Sequence, residues 1–255
     1  EGQFADGEPV DPNQNQAPNS QTAQNPEEVV PAASGTGFYV SKKGHIVTNH
    51  HVINGCKEVD VIANGESLST KVVAFDQVND VALLKVANEP EEYLPISTKR
   101  AELLEDIYVA GFPFGNELSS SVKVTRGIVS SLTGFKNNYS QIQIDAAIQQ
   151  GNSGGPILNS FGNVIGVAVS KADTAFFLEE FDAIPENVNF GVKSSVVLNL
   201  LDANGVNIKP PNTEDLSTKT LGQKITKATL YLSCGMTIAQ IEAMQTQKAM
   251  FSKYK

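Results

Sequence analysis

The sequence has few of the features that metal centres, membrane spans and nucleic-acid surfaces require. It holds two cysteines and three histidines, which do not supply the ligands of a zinc site in a suitable spacing. No run of eighteen apolar residues occurs, so we expect no membrane span in this chain. The formal net charge is -9 and basic residues form no stripe. Charge therefore gives no case for a nucleic-acid partner or for binding to an anionic membrane.

Lysine and arginine are absent from the first 33 residues, which carry six acidic side chains among Gln, Asn, Pro and Ala. Such a segment cannot bury enough apolar surface to offset the entropy of ordering it. Residues 1–33 are therefore predicted to be a disordered linker, and a tether to a membrane anchor outside this chain is the alternative. The rest of the chain is nearly balanced in charge. With 40% hydrophobic residues overall, we expect one domain with a sizeable core.

The sequence does contain a serine set among glycines, Ser153 in the stretch GNSGGP at 151–156. Glycine on both sides lets the backbone turn sharply and leaves main-chain N–H groups accessible to a ligand. An acyl-transfer nucleophile needs such a place, because its hydroxyl must be reachable and two N–H donors must face the oxygen that becomes charged. A glycine-rich β-turn without a catalytic role is the alternative.

The three histidines of the sequence all precede this serine: His45, His50 and His51. The histidine of an α/β-hydrolase follows its serine, so that class is excluded if Ser153 is catalytic. A subtilisin-like order needs an aspartate before the histidine, and only Asp6 and Asp11, in the predicted linker, precede His45. The order that remains is His, Asp, Ser.

The identity of the base and of its carboxylate partner is open at this point. His50 and His51 are neighbours, and in extended structure their side chains point to opposite faces, so at most one faces a given cleft. Asp80 opens the apolar run Val81–Val86, which suits a carboxylate buried behind an imidazole. Asp76 is the alternative.

Six motifs in order resemble the HtrA/Deg branch of trypsin-like serine proteases, and the resemblance covers roughly residues 34–205. They are SGTGFYV at 34–40, TNHHV at 48–52, DVALLK at 80–85, YVAGFPFG at 108–115, TRGIVSS at 125–131 and GNSGGP at 151–156. The resemblance implies an all-β fold of two six-stranded antiparallel barrels over residues 34–207, with the site in the cleft between them. The many short apolar runs separated by turn signals agree with such a fold.

The resemblance also assigns the site residues. It implies His51, the histidine before valine, as general base, Asp80 as its partner and Ser153 as nucleophile, with the N–H groups of Gly151 and Ser153 as the oxyanion hole. His45 is expected in a β-turn. Ala147, six residues before the serine, maps to the floor of the primary specificity pocket, where it offers no counter-charge to Lys or Arg. We therefore expect a small or medium apolar side chain at the cleaved position, and no metal or organic cofactor.

After a predicted helix at Ser194–Asn204, the sequence does not continue into the PDZ domains usual in this family. Residues 208–255 are expected to be an extension packed on the protease domain, with a helix beginning at Thr237, where Thr237 and Gln240 match a capping box. A partner-binding or oligomerising helix is the alternative. Residues Phe176–Asp182, within the segment 171–187, interrupt the expected pocket lining as a lid, a substrate-reading loop or an exposed insertion.

Cys56 and Cys234 are predicted to form a disulfide, as in an exported protein, and two separate buried thiols are the alternative. Together these observations predict a periplasmic or extracellular serine endopeptidase that acts on proteins or peptides in HtrA-like quality control or processing. Whether it forms a homo-oligomer stays open. A catalytically silent or latent protein that kept the fold as a binding module or scaffold is the alternative function.

Overall fold

The computed structural model describes residues 25–63, 65–115, 121–169, 182 and 187–252. Most of the predicted linker lies outside these residues. So does the predicted insertion at Phe176–Asp182, apart from Asp182.

The described residues form mostly β-strands, with a few helices. The strands are β1 (Val29–Tyr39), β2 (His45–Thr48), β3 (Glu58–Ala63), β4 (Glu66–Ser69), β5 (Lys71–Asp76), β6 (Val81–Lys85), β7 (Asp106–Gly111), β8 (Lys123–Ser131), β9 (Gln141–Ile144), β10 (Pro156–Asn159), β11 (Val164–Val169), β12 (Asn189–Lys193) and β13 (Thr229–Thr237). The helices are α1 (His50–Ile53), α2 (Ser194–Ala203), α3 (Thr218–Ala228) and α4 (Ile238–Ser252).

The second half of the protease region is a closed barrel with the strand order β10-β11-β12-β9-β8-β7. The first half is a seven-stranded sheet with the order β4-β3-β13-β1-β2-β6-β5. The predicted all-β, two-barrel class is confirmed. The first unit differs from a six-stranded barrel, because it has a seventh strand and forms a half barrel in the described part of the chain.

The seventh strand comes from the C-terminal extension. Strand β13 pairs antiparallel with β1 on one side and with β3 on the other, so that Leu232 lies opposite both Gly35 and Val61. Alternate side chains such as Leu232, Cys234 and Met236 are buried, as expected for a central strand. The extension therefore completes the sheet instead of only packing on its surface.

This pairing also moves the start of the folded region. Strand β1 begins at Val29, which lies opposite Thr237 of β13. Residues 29–33 were expected to belong to the disordered linker, and that boundary is wrong. Their order comes from backbone hydrogen bonds to a strand some 200 residues away, which a local composition argument does not detect.

The helices follow their end signals. Helix α2 spans Ser194–Ala203 and is followed by Gly205 with φ +64°, close to the predicted span. Helix α4 begins after Thr237, whose hydroxyl accepts the Gln240 N–H at 3.2 Å while the Gln240 side chain accepts the Thr237 N–H at 2.9 Å. This is the predicted capping box. Helix α3 was not predicted.

One apolar core cluster joins both units and the helices α2 and α3. It contains side chains from the first sheet, the barrel, α2 and α3, such as Phe38, Leu83, Leu158, Val197 and Ile225. Two further clusters fill the first sheet and the barrel interior. The two units therefore meet over shared packing.

Candidate active site

Asp80 contacts His51 twice. The Nδ1 atom of the His51 ring lies 2.6 Å from one carboxylate oxygen of Asp80, and the His51 main-chain N–H donates to the other oxygen at 2.8 Å. Both side chains are about one-quarter exposed. His51 lies in α1, just after β2, and Asp80 ends the turn between β5 and β6. Because β2 and β6 pair in the sheet, the two groups are brought to the same end of it.

Asp80 adopts a backbone conformation that few residues other than glycine adopt, with φ +58°. The Asn49 side-chain amide donates to the Asp80 carbonyl at 2.8 Å and helps to hold this conformation. Backbone strain of this kind persists where the surroundings fix it, and it concentrates at functional sites.

Asp76 has a different task. Its carboxylate accepts the N–H groups of Val78 and Asn79 at 3.0 Å and the Asn79 side-chain amide at 2.6 Å. These hydrogen bonds lower the pKa of Asp76, with the Asn79 side chain contributing most. Asp76 thus closes the turn that presents Asp80. None of these hydrogen bonds involves the imidazole of His51.

The side chains of the neighbouring histidines His50 and His51 point in different directions, but the reason differs from the extended backbone that was predicted. His50 and His51 lie in the one-turn helix α1 and not in extended structure, so their side chains are about 100° apart around its axis. His50 is 8% exposed and its ring stacks on Phe75 with centroids 4.6 Å apart. His51 is the histidine that meets Asp80.

His45 lies at the start of β2, directly after the turn in which it was expected. Its Nδ1 atom is 2.7 Å from the Ser41 hydroxyl. Burial and the nearby charges of Lys85 and Lys43 lower the pKa of His45. Its place is structural, at the opposite end of β2 from His51.

Close packing holds the serine loop against the end of β2. Gly154, the residue after Ser153, has φ +85°, and a Cβ there would lie 2.1 Å from the Thr36 carbonyl oxygen and 2.2 Å from the Thr48 hydroxyl. Only glycine allows this approach. Thr48 ends β2, three residues before His51. Ser153 is 4% exposed and therefore almost covered by its neighbours.

Hydrogen bonds fix the four consecutive carbonyls at 150–153. The Gln150 carbonyl accepts the Phe114 N–H at 2.8 Å, and the Asn152 carbonyl accepts the Gly155 N–H at 2.9 Å. The Gly151 carbonyl accepts a hydrogen bond from the Thr36 hydroxyl at 2.6 Å, and the Ser153 carbonyl accepts one from the Thr36 N–H at 2.8 Å. In a trans peptide unit, the N–H of one residue points in the direction opposite to the C=O of the preceding residue. The N–H of Gly151 is therefore directed away from Phe114, and that of Ser153 away from Gly155.

Ala147 is exposed, and its carbonyl accepts the Thr125 hydroxyl at 2.9 Å. The nearby Asn189 side chain donates to the Ala146 carbonyl at 2.9 Å. The described residues do not enclose Ala147 in a pocket, and the segment Phe176–Asp182, predicted to interrupt the pocket lining, lies outside them apart from Asp182. Its role in specificity stays a prediction.

Two residues of this site were not singled out from the sequence. Thr36 occurs in the motif SGTGFYV and Asn49 directly precedes the histidine pair, but neither pattern indicates which backbone groups the side chain will bind. Both are 0% exposed. Within the described residues, no three His, Cys, Asp or Glu side chains group as metal ligands would. Every helix in this part of the chain falls short of what crossing a bilayer requires.

Comparisons with known proteins identify the family of this chain. Residues 35–167 match the family model of the trypsin-like peptidase domain. The chain is 37% identical over 220 residues to an uncharacterised protein of Sinorhizobium fredii, covering 86% of this chain and 35% of that protein. It is 30% identical over 199 residues to the serine protease Do-like HtrA of Lactococcus lactis, covering 72% and 48%.

A third relative is the probable periplasmic serine endoprotease DegP-like of Chlamydia trachomatis, 37% identical over 138 residues, with coverage of 53% and 28%. The chain thus spans between about a quarter and a half of the length of these relatives.

Proposed function

The chain belongs to the trypsin-like peptidase family, with HtrA-like relatives, and we propose that it is a serine endopeptidase with Ser153 as nucleophile, His51 as base and Asp80 as the partner of His51. The observation that carries this proposal is the double contact of Asp80 with the ring and the main chain of His51. The close packing of Gly154 on Thr48 supports the placement of Ser153 next to this pair.

In the proposed mechanism, the Asp80 carboxylate accepts a hydrogen bond from the Nδ1–H of His51, which leaves the lone pair on Nε2 for the Ser153 hydroxyl. Nε2 takes the serine proton as Oγ attacks the substrate carbonyl, and the resulting imidazolium is stabilised by Asp80. His51 then donates this proton to the leaving amine, and an acyl-enzyme remains. A water molecule, deprotonated by His51, hydrolyses the ester and restores the serine.

The N–H groups of Gly151 and Ser153 would stabilise the oxyanion of both tetrahedral intermediates. The hydrogen bonds of the carbonyls at 150–153 support this assignment, because they give each peptide plane a defined direction. Such preorganised donors are worth on the order of 10²–10³-fold in kcat each.

The substrates would be proteins or peptides, in quality control or processing as the HtrA resemblance implies. Export to an oxidising compartment is supported by the disulfide between Cys56 and Cys234 and by the periplasmic description of the Chlamydia relative. A latent protein with the same fold is the second candidate, and the 4% exposure of Ser153 favours it.

Reaction with a fluorophosphonate probe separates the two candidates. We expect the wild-type chain to be labelled at Ser153, as located by mass spectrometry, and to cleave an unfolded protein substrate. Ser153→Ala is the control and should do neither. A folded wild-type protein that resists the probe and cleaves nothing would support the latent protein.

A further inference from the structure

Thr36 uses all of its polar atoms at the junction of the two units. It lies on β1, is 0% exposed, and binds backbone groups of the serine loop and of the segment after β7, and the Thr48 hydroxyl at the end of β2. We propose that Thr36 is a positioning residue for the oxyanion hole. Its hydroxyl binds the carbonyl of the Gly151–Asn152 peptide directly and anchors the segment whose Phe114 N–H holds the Gln150–Gly151 peptide, so that the Gly151 N–H keeps its direction. This role rests on the proposed function.

The hydroxyl bridges two segments. It donates to the Gly151 carbonyl at 2.6 Å and accepts the Phe112 N–H at 3.1 Å. Two residues after Phe112, the Phe114 N–H binds the Gln150 carbonyl. The peptide planes on both sides of the Gly151 Cα are thus held, one directly by Thr36 and one through the segment that Thr36 anchors.

Gly151 needs such support because glycine imposes little conformational preference of its own. Its φ is +96°, and a Cβ at this position would lie 2.3 Å from the Phe112 carbonyl oxygen. External hydrogen bonds must therefore select one orientation of the peptide among those open to glycine. Rotation about Gly151 would redirect a donor of the proposed hole without unfolding anything.

The main chain of Thr36 contributes separately. Its N–H donates to the Ser153 carbonyl at 2.8 Å, and its carbonyl accepts the Thr48 hydroxyl at 2.7 Å. These two bonds do not depend on the Thr36 side chain. Substitution of the side chain therefore tests the hydroxyl alone, while the link between Ser153 and the end of β2 stays in place.

The test compares Thr36→Val, which keeps the shape and removes the hydroxyl, with Thr36→Ser, which keeps it. Thr70→Val is the matched control, since the Thr70 hydroxyl donates to the Val59 carbonyl at 2.7 Å within the first sheet. We measure kcat and KM on a peptide, the rate of fluorophosphonate labelling, the melting temperature, and hydrogen exchange of the segment 149–155.

We expect Thr36→Val to lower kcat by on the order of 10²-fold with KM changed less than about threefold, because a transition-state interaction is lost. Labelling should slow in parallel, and exchange of 149–155 should become faster. Thr36→Ser should stay within about tenfold of wild type, and Thr70→Val should lower the melting temperature alone. If Thr36→Val does not fold, Thr36→Ala, whose smaller side chain leaves room for water, takes its place with the same expectations.

Two results would overturn the proposal. One is a Thr36→Ser variant as impaired as Thr36→Val, and the other is a loss of activity no larger than the loss of folded protein. If wild type itself neither hydrolyses nor labels, the proposed function fails. Hydrogen exchange then still decides the geometric role, because unchanged exchange at 149–155 in Thr36→Val or Thr36→Ala would refute it.

Discussion

Cys234 of the C-terminal strand is joined by a disulfide to Cys56, with 5.3 Å between their Cα atoms. Cys56 lies three residues after the helix that carries His51, and Cys234 lies in β13, between β1 and β3. The covalent bond thus ties the C-terminal extension to the segment behind the proposed base.

Reduction of this disulfide should destabilise the fold without removing a group of the site. The bond closes a loop with a sequence separation of 178, for which the chain-entropy estimate is roughly 5 kcal/mol, an upper bound. We expect a lower melting temperature in the reduced protein and in Cys56→Ser with Cys234→Ser. Thiol titration of the denatured, unreduced protein checks the bond itself: two reactive thiols would show that it does not form.

His51 and His50 should differ sharply under substitution. Ser153→Ala and His51→Ala should each reduce peptide hydrolysis by several orders of magnitude. His50→Ala should keep most of it and lose its stacking on Phe75, about 1 kcal/mol or about 2–4 °C in melting temperature. Equal loss of kcat in folded His50→Ala and His51→Ala protein would show that the base is assigned wrongly.

Asp80 and Asp76 form a second matched pair. Asp80→Asn should lower kcat by on the order of 10⁴-fold, because an amide cannot hold the same imidazole tautomer and cation. Asp76→Asn should lower kcat far less, since Asp76 binds the turn at Val78 and Asn79. Steady-state kinetics on both folded variants measures this difference, and similar losses of kcat would contradict the assignment of Asp80 as the partner of His51.

Glu92 should make the anchoring of the C-terminal extension pH-dependent. Its carboxylate binds the ammonium groups of Lys209 at 2.7 Å and Lys224 at 2.8 Å. Burial raises the pKa of Glu92, but the hydrogen bonds and charges of the two lysines together outweigh it, so the net shift is downward. A folded-state pKa below the unfolded one contributes stability that is present above the unfolded value, about 4.3, and is lost as pH falls through the folded value.

We therefore expect Glu92→Gln to be less stable than wild type at pH 7, with the difference shrinking as the pH falls below about 4. Urea unfolding at several pH values measures this. Glu91→Gln is the control, because its ion pair with Lys227 is exposed. A difference between Glu92→Gln and wild type that does not change with pH would refute the linkage.

Cleavage should follow small or branched aliphatic residues. Ala147 offers no carboxylate to pair with a Lys or Arg side chain at its expected place in the pocket, and an unpaired buried cation is costly. Profiling of a peptide library by mass spectrometry tests this. Dominant cleavage after basic residues would refute it and would point to Glu179, Glu180 or Asp182 as the counter-charge.

The class of the fold and the candidate triad are predicted from the sequence by short motifs whose order resembles that of trypsin-like serine proteases, and the triad stays a prediction. The glycines around Ser153 permit one kind of tight turn, the capping box at Thr237 starts a helix, and the order of His51, Asp80 and Ser153 leaves few architectures. Turn formation and helix capping depend on a few neighbouring residues, so they can be predicted without knowing the rest of the fold.

Only the tertiary structure decided which groups meet across long distances in sequence. The insertion of β13 between β1 and β3 and the binding of the Thr36 hydroxyl to Gly151 depend on hydrogen bonds to backbone groups. A backbone N–H or carbonyl is present in nearly every residue, so the sequence does not mark which of them will pair. The hydroxyl of Thr36 acquires its proposed role from the groups that the fold brings to it.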